Sequence, residues 1–254
     1  MPQLIPFSSL LCGFNVLVST FCASSIWLRR RDLLESDPLV KRFYFAFVYS
    51  SAQFFWNFLP GTLVKDPYFI QIIYTFSDVT IMLIAMYMLS IPLNTFPQTQ
   101  RLRQFVKIAS RIVMAFSVFY VAYNLWVLKP VTVVTYGYMI DWRSSVSPAL
   151  QLIIVSLCAI FIISTALFFF FRGWWHENDL IRRRSRILAV GFFAILLGWI
   201  GVSFFNTSTP QSPGIVLLVG TIGVGTMSLG FVALLWAVFT RNKPGHQLTR
   251  PSAS

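Results

Sequence analysis

Charged side chains are scarce in this sequence. Asp, Glu, Lys and Arg make up 11% of the 254 residues, whereas hydrophobic residues make up 56%. A soluble domain usually has about 25% charged residues. The chain has too few charges to cover a surface that faces water, so lipid must cover much of it. The composition therefore predicts an integral membrane protein.

Histidine and cysteine are rare as well, which limits the chemistry that the chain can perform. The two histidines, His176 and His246, lie outside the apolar runs, so imidazole ligation of haem or metal inside a helix bundle is not expected. The three cysteines, Cys12, Cys22 and Cys158, are an odd set inside apolar runs and lack metal-ligand spacing. We predict no catalytic residue, no metal site and no cofactor, and we do not expect an enzyme.

What the chain does contain is long apolar runs, seven of which could cross about 30 Å of hydrocarbon at about 1.5 Å per residue. The runs are continuous rather than alternating, as is typical of helices and not of barrel strands. We predict an all-α integral membrane protein, a bundle of seven transmembrane helices over residues 1–240, followed by a disordered cytoplasmic tail at 241–254. The predicted spans are 4–28, 43–64, 68–93, 105–128, 149–171, 187–205 and 214–239. The first run lacks a basic segment before it and is expected to be a retained helix, with a signal peptide as the alternative.

Lysine and arginine are distributed unevenly between the two ends of these spans. Seventeen of them lie on one side of the membrane, whereas Lys65, Lys129 and Arg143 lie on the other. The positive-inside rule then places the N-terminus outside and the C-terminus in the cytoplasm, in a multi-pass protein of the plasma or inner membrane. The net charge of +12 follows from this orientation. We therefore expect the lipid bilayer as a partner, and no nucleic acid.

Two loops between the predicted spans have distinctive sequences. The outer loop 129–147 contains VTVVTYGYMIDW, whose β-branched and aromatic residues predict a short hairpin over the mouth of the bundle, with an irregular loop as the alternative. On the inner side, an arginine run opens the sixth span in IRRRSRILAVGFF. With these two features, the seven-helix plan resembles the membrane input region of bacterial signal histidine kinases. The resemblance implies a sensor, either free-standing or shortened, because no kinase segment follows residue 240.

Small residues recur at four-residue spacing in the last two spans. This spacing places two small side chains on one helix face, which lets helices approach closely. We therefore predict helix packing at these positions, and expect Gly225 to face a neighbouring helix. The pairs are Ala194 with Gly198, Thr221 with Gly225, and Thr226 with Gly230.

Asp78 is the one carboxylate within the predicted spans, where an ionised group costs about 2.5–3.5 kcal/mol on insertion scales. Counted from the inner ends of their spans, Asp78, Asn57 and Asn15 lie at about 22, 21 and 20 Å. We predict that these three side chains form one hydrogen-bonded cluster, with Tyr74 one turn from Asp78. No basic residue lies at that depth, so we expect a neutral Asp78 that donates to an amide oxygen. The cluster either fixes the helix register or forms a ligand or proton site.

Three functions are compatible with these features. The first is a receptor-like or sensory module that binds an apolar or small ligand in the outer half of the bundle and passes a helix shift to a cytoplasmic signalling protein. The second is a non-catalytic accessory subunit that packs against the other subunits of a membrane complex. The third is a small transporter or proton-coupled channel that uses Asp78, although inverted repeats are not visible in the sequence.

Overall fold

The structure is a computed structural model that describes residues 5–95, 100–136, 139–207 and 213–240. Within these ranges the chain forms seven helices and three short strands. The helices are α1 (Phe7–Ser36), α2 (Pro38–Phe58), α3 (Pro67–Thr95), α4 (Gln100–Trp126), α5 (Pro148–Trp175), α6 (Asp179–Thr207) and α7 (Pro213–Phe239). The strands are β1 (Ile5–Pro6), β2 (Thr132–Tyr136) and β3 (Met139–Arg143). The predicted tail, 241–254, lies outside the described residues.

Six of these helices are long and apolar enough to cross a membrane, and the chain is therefore a multi-pass membrane protein. The candidate spans lie in every helix except α2. The 21 residues of α2 could extend about 32 Å, but Lys41, Arg42, Gln53 and Asn57 lower its mean hydropathy. The apolar character that the composition predicts is confirmed in six helices.

Proline marks the start of several helices. Pro38, Pro67 and Pro148 are first residues of α2, α3 and α5, where the missing N–H is not needed. The residue before each proline supplies the cap. Asp37 and Asp66 accept hydrogen bonds from backbone N–H groups two and three residues farther on, at 2.8 Å and 2.7 Å. As a result, α2 begins five residues before the predicted start of its span.

The second span was predicted to continue to residue 64, and this boundary is wrong. The helix ends at Phe58, because Pro60 has no N–H to donate and Gly61 has a φ of 74°, in the left-handed region. The Gly61 N–H instead donates to the carbonyl of Val64 at 2.8 Å. A Cβ at Gly61 would lie 2.8 Å from Pro6 and closer still to the Trp142 ring, so a side chain has no room in this turn.

The helices pack in a ring with one helix outside it. Around the ring, α1 packs against α2, α2 against α3, α3 against α5, α5 against α6, and α6 against α7. The ring closes where α7 packs against α1, and α4 packs chiefly against α3 on the outside. Sequence neighbours are therefore usually spatial neighbours, except that α3 contacts α5 directly.

The loop 129–147 contains the predicted hairpin. The strands β2 and β3 pair antiparallel, with Thr132 opposite Arg143 and Tyr136 opposite Met139. The sequence did not indicate the third strand, β1, which pairs parallel with β3 directly before α1 begins. The hairpin is therefore bonded to the first residues of the chain that the structure describes, directly before the N-terminal end of α1.

Glycine allows α6 and α7 to pack backbone against backbone. A Cβ at Gly230 would lie 2.7 Å from the carbonyl oxygen of Gly191, and one at Gly198 would clash with the carbonyl of Gly223 and lie 2.8 Å from the amide of Met227. The contacting glycines are seven residues apart on each helix, so they share a face. The prediction for Gly225 is wrong: it is two residues, or about 200°, from Gly223, and a Cβ there would meet no atom within 4 Å.

Replacing Gly198 with alanine should destabilise the protein, because the added methyl group would meet backbone atoms that cannot rotate away. We expect a cost of about 1–3 kcal/mol, as for other overpacked sites, measured as a lower midpoint of thermal unfolding in detergent. Gly225→Ala is the matched control and should leave the midpoint unchanged or raise it slightly. Equal losses in both variants would contradict the packing described for α6 and α7.

Candidate functional site in the bundle interior

Buried polar side chains concentrate in the part of the interior that α1, α2, α3 and α7 enclose. The part between α5 and α6 is mainly apolar, and the rings of Phe169 and Phe192 stack there at 5.9 Å. The four predicted site residues do lie in the polar region or beside it. They do not form one cluster, and the prediction of a single hydrogen-bonded cluster is wrong. The buried polar residues of these four helices are Ser9, Asn15, Ser19, Ser50, Gln53, Gln71, Thr75, Ser77 and Ser228.

Asn15 pairs with α7 rather than with α2 or α3. Its side chain is fully buried, and its Oδ1 accepts a hydrogen bond from the Ser228 hydroxyl at 2.7 Å. Its backbone carbonyl accepts from the hydroxyl of Ser19 at 2.7 Å. The Nδ2 group is buried and has no hydrogen-bond partner. The physical reason for the different partner is the closed ring, which places α7 against α1.

Asn57 bonds to Ser77, the residue next to Asp78, and so faces α3 as expected. The amide groups of Asn57 and Gln53 both donate to the Ser77 hydroxyl oxygen, at 2.8 Å and 2.9 Å. We call Gln53, Asn57 and Ser77 the amide cluster. Gln53 is 7% exposed, and its Oε1 atom is buried with no partner.

The two unpaired atoms lie at similar depths. A Cβ at Gly13 would meet the ring of Phe58 at 2.8 Å, and the hydroxyls of Thr20 and Ser51 are 2.6 Å apart. These contacts set the antiparallel register of α1 and α2, in which Asn15 lies level with residue 56. Gln53 is three residues away from that level, or about 4.5 Å along the axis. The unpaired donor of Asn15 and the unpaired acceptor of Gln53 are thus both buried, within about one helical turn of each other in depth.

The Asp78 side chain faces α4, and not Asn15 or the amide cluster. Its carboxylate accepts a hydrogen bond from the hydroxyl of Tyr120, and the Tyr120 backbone carbonyl accepts from the Asn124 amide at 2.8 Å. The expected amide partner for Asp78 is therefore wrong. Asp78 immediately follows Ser77, and successive helical residues point about 100° apart, so the two side chains face different neighbours. This bond joins the peripheral α4 to the ring.

Tyr74 and Gln71 bind the hairpin and the residues directly after it to α3. The Tyr74 hydroxyl donates to the carbonyl of Trp142 in β3 at 2.8 Å. Gln71 is almost fully buried, and its Oε1 atom accepts from the Ser145 N–H at 2.8 Å and from the hydroxyls of Ser144 and Ser145. Tyr74 thus belongs to this outer contact, one turn from Asp78 along α3 but with a different partner.

Several residues of the site were missed, although the sequence does contain the relevant pattern. Gln53 lies four residues before Asn57, which places both on one face of α2. Tyr120 lies 15 residues from residue 105, the predicted inner end of the fourth span, and therefore at about 22 Å, the depth of Asp78. Ser77 and Ser228 carry no such pattern, because serine is common in membrane helices and its position alone does not reveal its partner.

The chemistry of the interior suits a small neutral group. Asn15 offers an unused N–H, Gln53 offers an unused carbonyl oxygen, and unmet polar atoms in a buried site are costly. Each of these atoms could pair with a hydroxyl group, an amide or a water molecule. The amide cluster holds no charged side chain that could compensate a buried ion.

Comparison with protein-family models, with curated proteins and with solved structures finds no match to this chain. The resemblance to the input region of histidine kinases therefore stays a prediction.

The bond between Asp78 and Tyr120 generates a stability prediction. Tyr120→Phe should lower the midpoint of thermal unfolding in detergent, because it leaves the half-buried Asp78 side chain without its hydrogen-bond donor, at a cost of about 1–3 kcal/mol. Asp78→Asn keeps an acceptor oxygen for the tyrosine and should cost less than Asp78→Ala. Tyr123→Phe is the control, since Tyr123 is exposed and stacks on Phe119. If Tyr123→Phe costs as much as Tyr120→Phe, the bond does not stabilise the bundle.

Proposed function

We propose that this chain is a receptor-like membrane module that senses a small neutral ligand in its interior and signals to a cytoplasmic partner. The observation that carries the proposal is the pair of buried, unpaired polar atoms on Asn15 and Gln53. A purely structural polar cluster would be expected to pair its own groups. A ligand that supplies both hydrogen bonds would gain their energy on binding.

The position of α3 supports this function. At the outer end of α3, Gln71 and Tyr74 bond to the hairpin. Ser77, which lies one turn farther along the helix, belongs to the amide cluster. The same hairpin pairs with β1, which leads into α1. Binding in the interior is thus coupled, through α1 and α3, to the outer sheet, and rigid helices carry a shift to their inner ends.

The inner end of α1 offers a surface for reading such a shift. The apolar part of α1 ends at Arg29, and the helix continues for seven more residues to Ser36. Arg31 and Glu35 are exposed on this extension. A cytoplasmic partner bound there would respond to a movement of α1.

The proposal includes seven spans, with the N-terminus outside and the C-terminus in the cytoplasm. Its support is the packing of α2 along both α1 and α3, together with the burial of Ser50 and Gln53, which turns polar groups of α2 away from lipid. The seventeen basic residues on the inner side then follow the positive-inside rule.

Cysteine labelling decides whether α2 crosses the membrane. Glu35→Cys and Leu63→Cys place exposed thiols before and after α2, in a background without the native cysteines. With an impermeant thiol reagent applied to intact cells, we expect Leu63→Cys to react and Glu35→Cys to be protected. Thr132→Cys on the hairpin should react like Leu63→Cys. Labelling of both α2 sites from the same side would contradict the seven-span topology.

The sensing role predicts that the interior controls the inner ends of the helices. Spin labels at Glu35→Cys and Arg183→Cys report the distance between the ends of α1 and α6. Gln53→Leu, which removes the unpaired acceptor and a bond to Ser77, should shift this distance by about 1–2 Å, as in other helix shifts. Leu229→Ala, on the exposed face of α7, should not. If the spin-labelled parent protein, Gln53→Leu and Leu229→Ala all give the same distance distribution, the result would favour a rigid accessory subunit.

A further inference from the structure

A groove on the outer surface of the bundle lies apart from the polar interior. It runs between α1 and α2, has a volume of about 640 Å³, and its walls are largely apolar. Val16 and Leu28 mark its ends on α1, twelve residues or about 18 Å apart. Half of a hydrocarbon core about 30 Å thick is about 15 Å. The groove therefore has the length of the acyl chains in one leaflet.

The floor of the groove needs no polar partner. The hydroxyls of Thr20 and Ser51 lie 2.6 Å apart and bond to each other. Around them, Trp27, Leu28 and Phe55 are 45%, 79% and 46% exposed. Because the hydroxyls of Thr20 and Ser51 already bond to each other, they do not require polar residues from a partner helix, whereas an acyl chain requires only apolar contact.

One end of the groove is basic. The guanidinium of Arg31 lies 5.3 Å from the centre of the Trp27 ring, and the rings of Trp27 and Tyr44 are 5.9 Å apart at the end of the groove. Lys41 is exposed and lies one turn before Tyr44 on α2. Within the described part of the chain, neither cation has an ion-pair partner, although Glu35 lies one turn beyond Arg31.

We propose that this groove binds one anionic phospholipid. An acyl chain lies between α1 and α2, and the phosphate lies between Arg31 and Lys41. Charge complementarity selects the headgroup, because each basic side chain near the membrane surface attracts anionic lipid. The Trp27 ring orients the guanidinium and forms the boundary between the apolar groove and the basic end.

Photo-crosslinking tests the proposal on the purified full chain in detergent. Phosphatidylglycerol and phosphatidylcholine, each with a diazirine in the acyl chain, are added separately, and crosslinked peptides are quantified by mass spectrometry. We expect labelling concentrated on the groove-lining residues of α1 and α2, and more of it from phosphatidylglycerol. The preference should fall about five-fold for each cation removed in Arg31→Gln and Lys41→Gln.

Ser24→Phe fills the groove from an exposed lining position and should reduce labelling by both lipids. The controls are Val190→Phe, an added ring on the exposed face of α6, and Arg183→Gln, an exposed cation remote from the groove. Neither should change the labelling. Equal labelling by the two lipids, or even labelling of all exposed helices, would overturn the proposal. Size-exclusion chromatography checks that each variant is folded.

Discussion

Polar groups inside a bundle that lipid surrounds must find partners within the protein, and this constraint organises the structure around α3. Four polar side chains follow one another on α3 within about two turns, and together they bond to three neighbours. Gln71 and Tyr74 bond to the hairpin, Ser77 to α2, and Asp78 to α4. One helix thereby connects the sheet, the ring and the peripheral helix. The remaining helices pack mainly through apolar surfaces.

The sequence predicts the elements of the fold better than their contacts. Continuous apolar runs identify the membrane helices, and the β-branched and aromatic residues of VTVVTYGYMIDW identify the hairpin, because both depend on local composition. Helix depth also predicts that Asn57 faces the neighbourhood of Asp78, since α2 and α3 are consecutive and adjacent. The same reasoning is wrong for Asn15, because a closed ring gives α1 a second neighbour, α7, that is remote in sequence. Ring closure is a property of the whole chain that no local pattern contains.

Two other errors have simpler causes. Gly225 shares four-residue spacing with Thr221, but Gly191 and Gly198, like Gly223 and Gly230, are seven residues apart, and this longer spacing marks the contact face. Small residues occur at both spacings in α7, so the spacing alone does not show which of its faces packs against α6. The end of α2 could have been placed correctly, because a proline followed by glycine at 60 and 61 favours a turn over a continued helix.

Two kinds of packing meet on α7. On one side, Gly230 and the carbonyl of Gly223 lie directly against Gly191 and Gly198 of α6. Ser228, two residues before Gly230, points to the opposite side and bonds to Asn15. In the proposed sensor, a group that binds the free N–H of Asn15 would move α1 and leave α7 against α6. Because α1 also follows β1 and extends beyond its apolar part, the proposed movement would reach both ends of this helix.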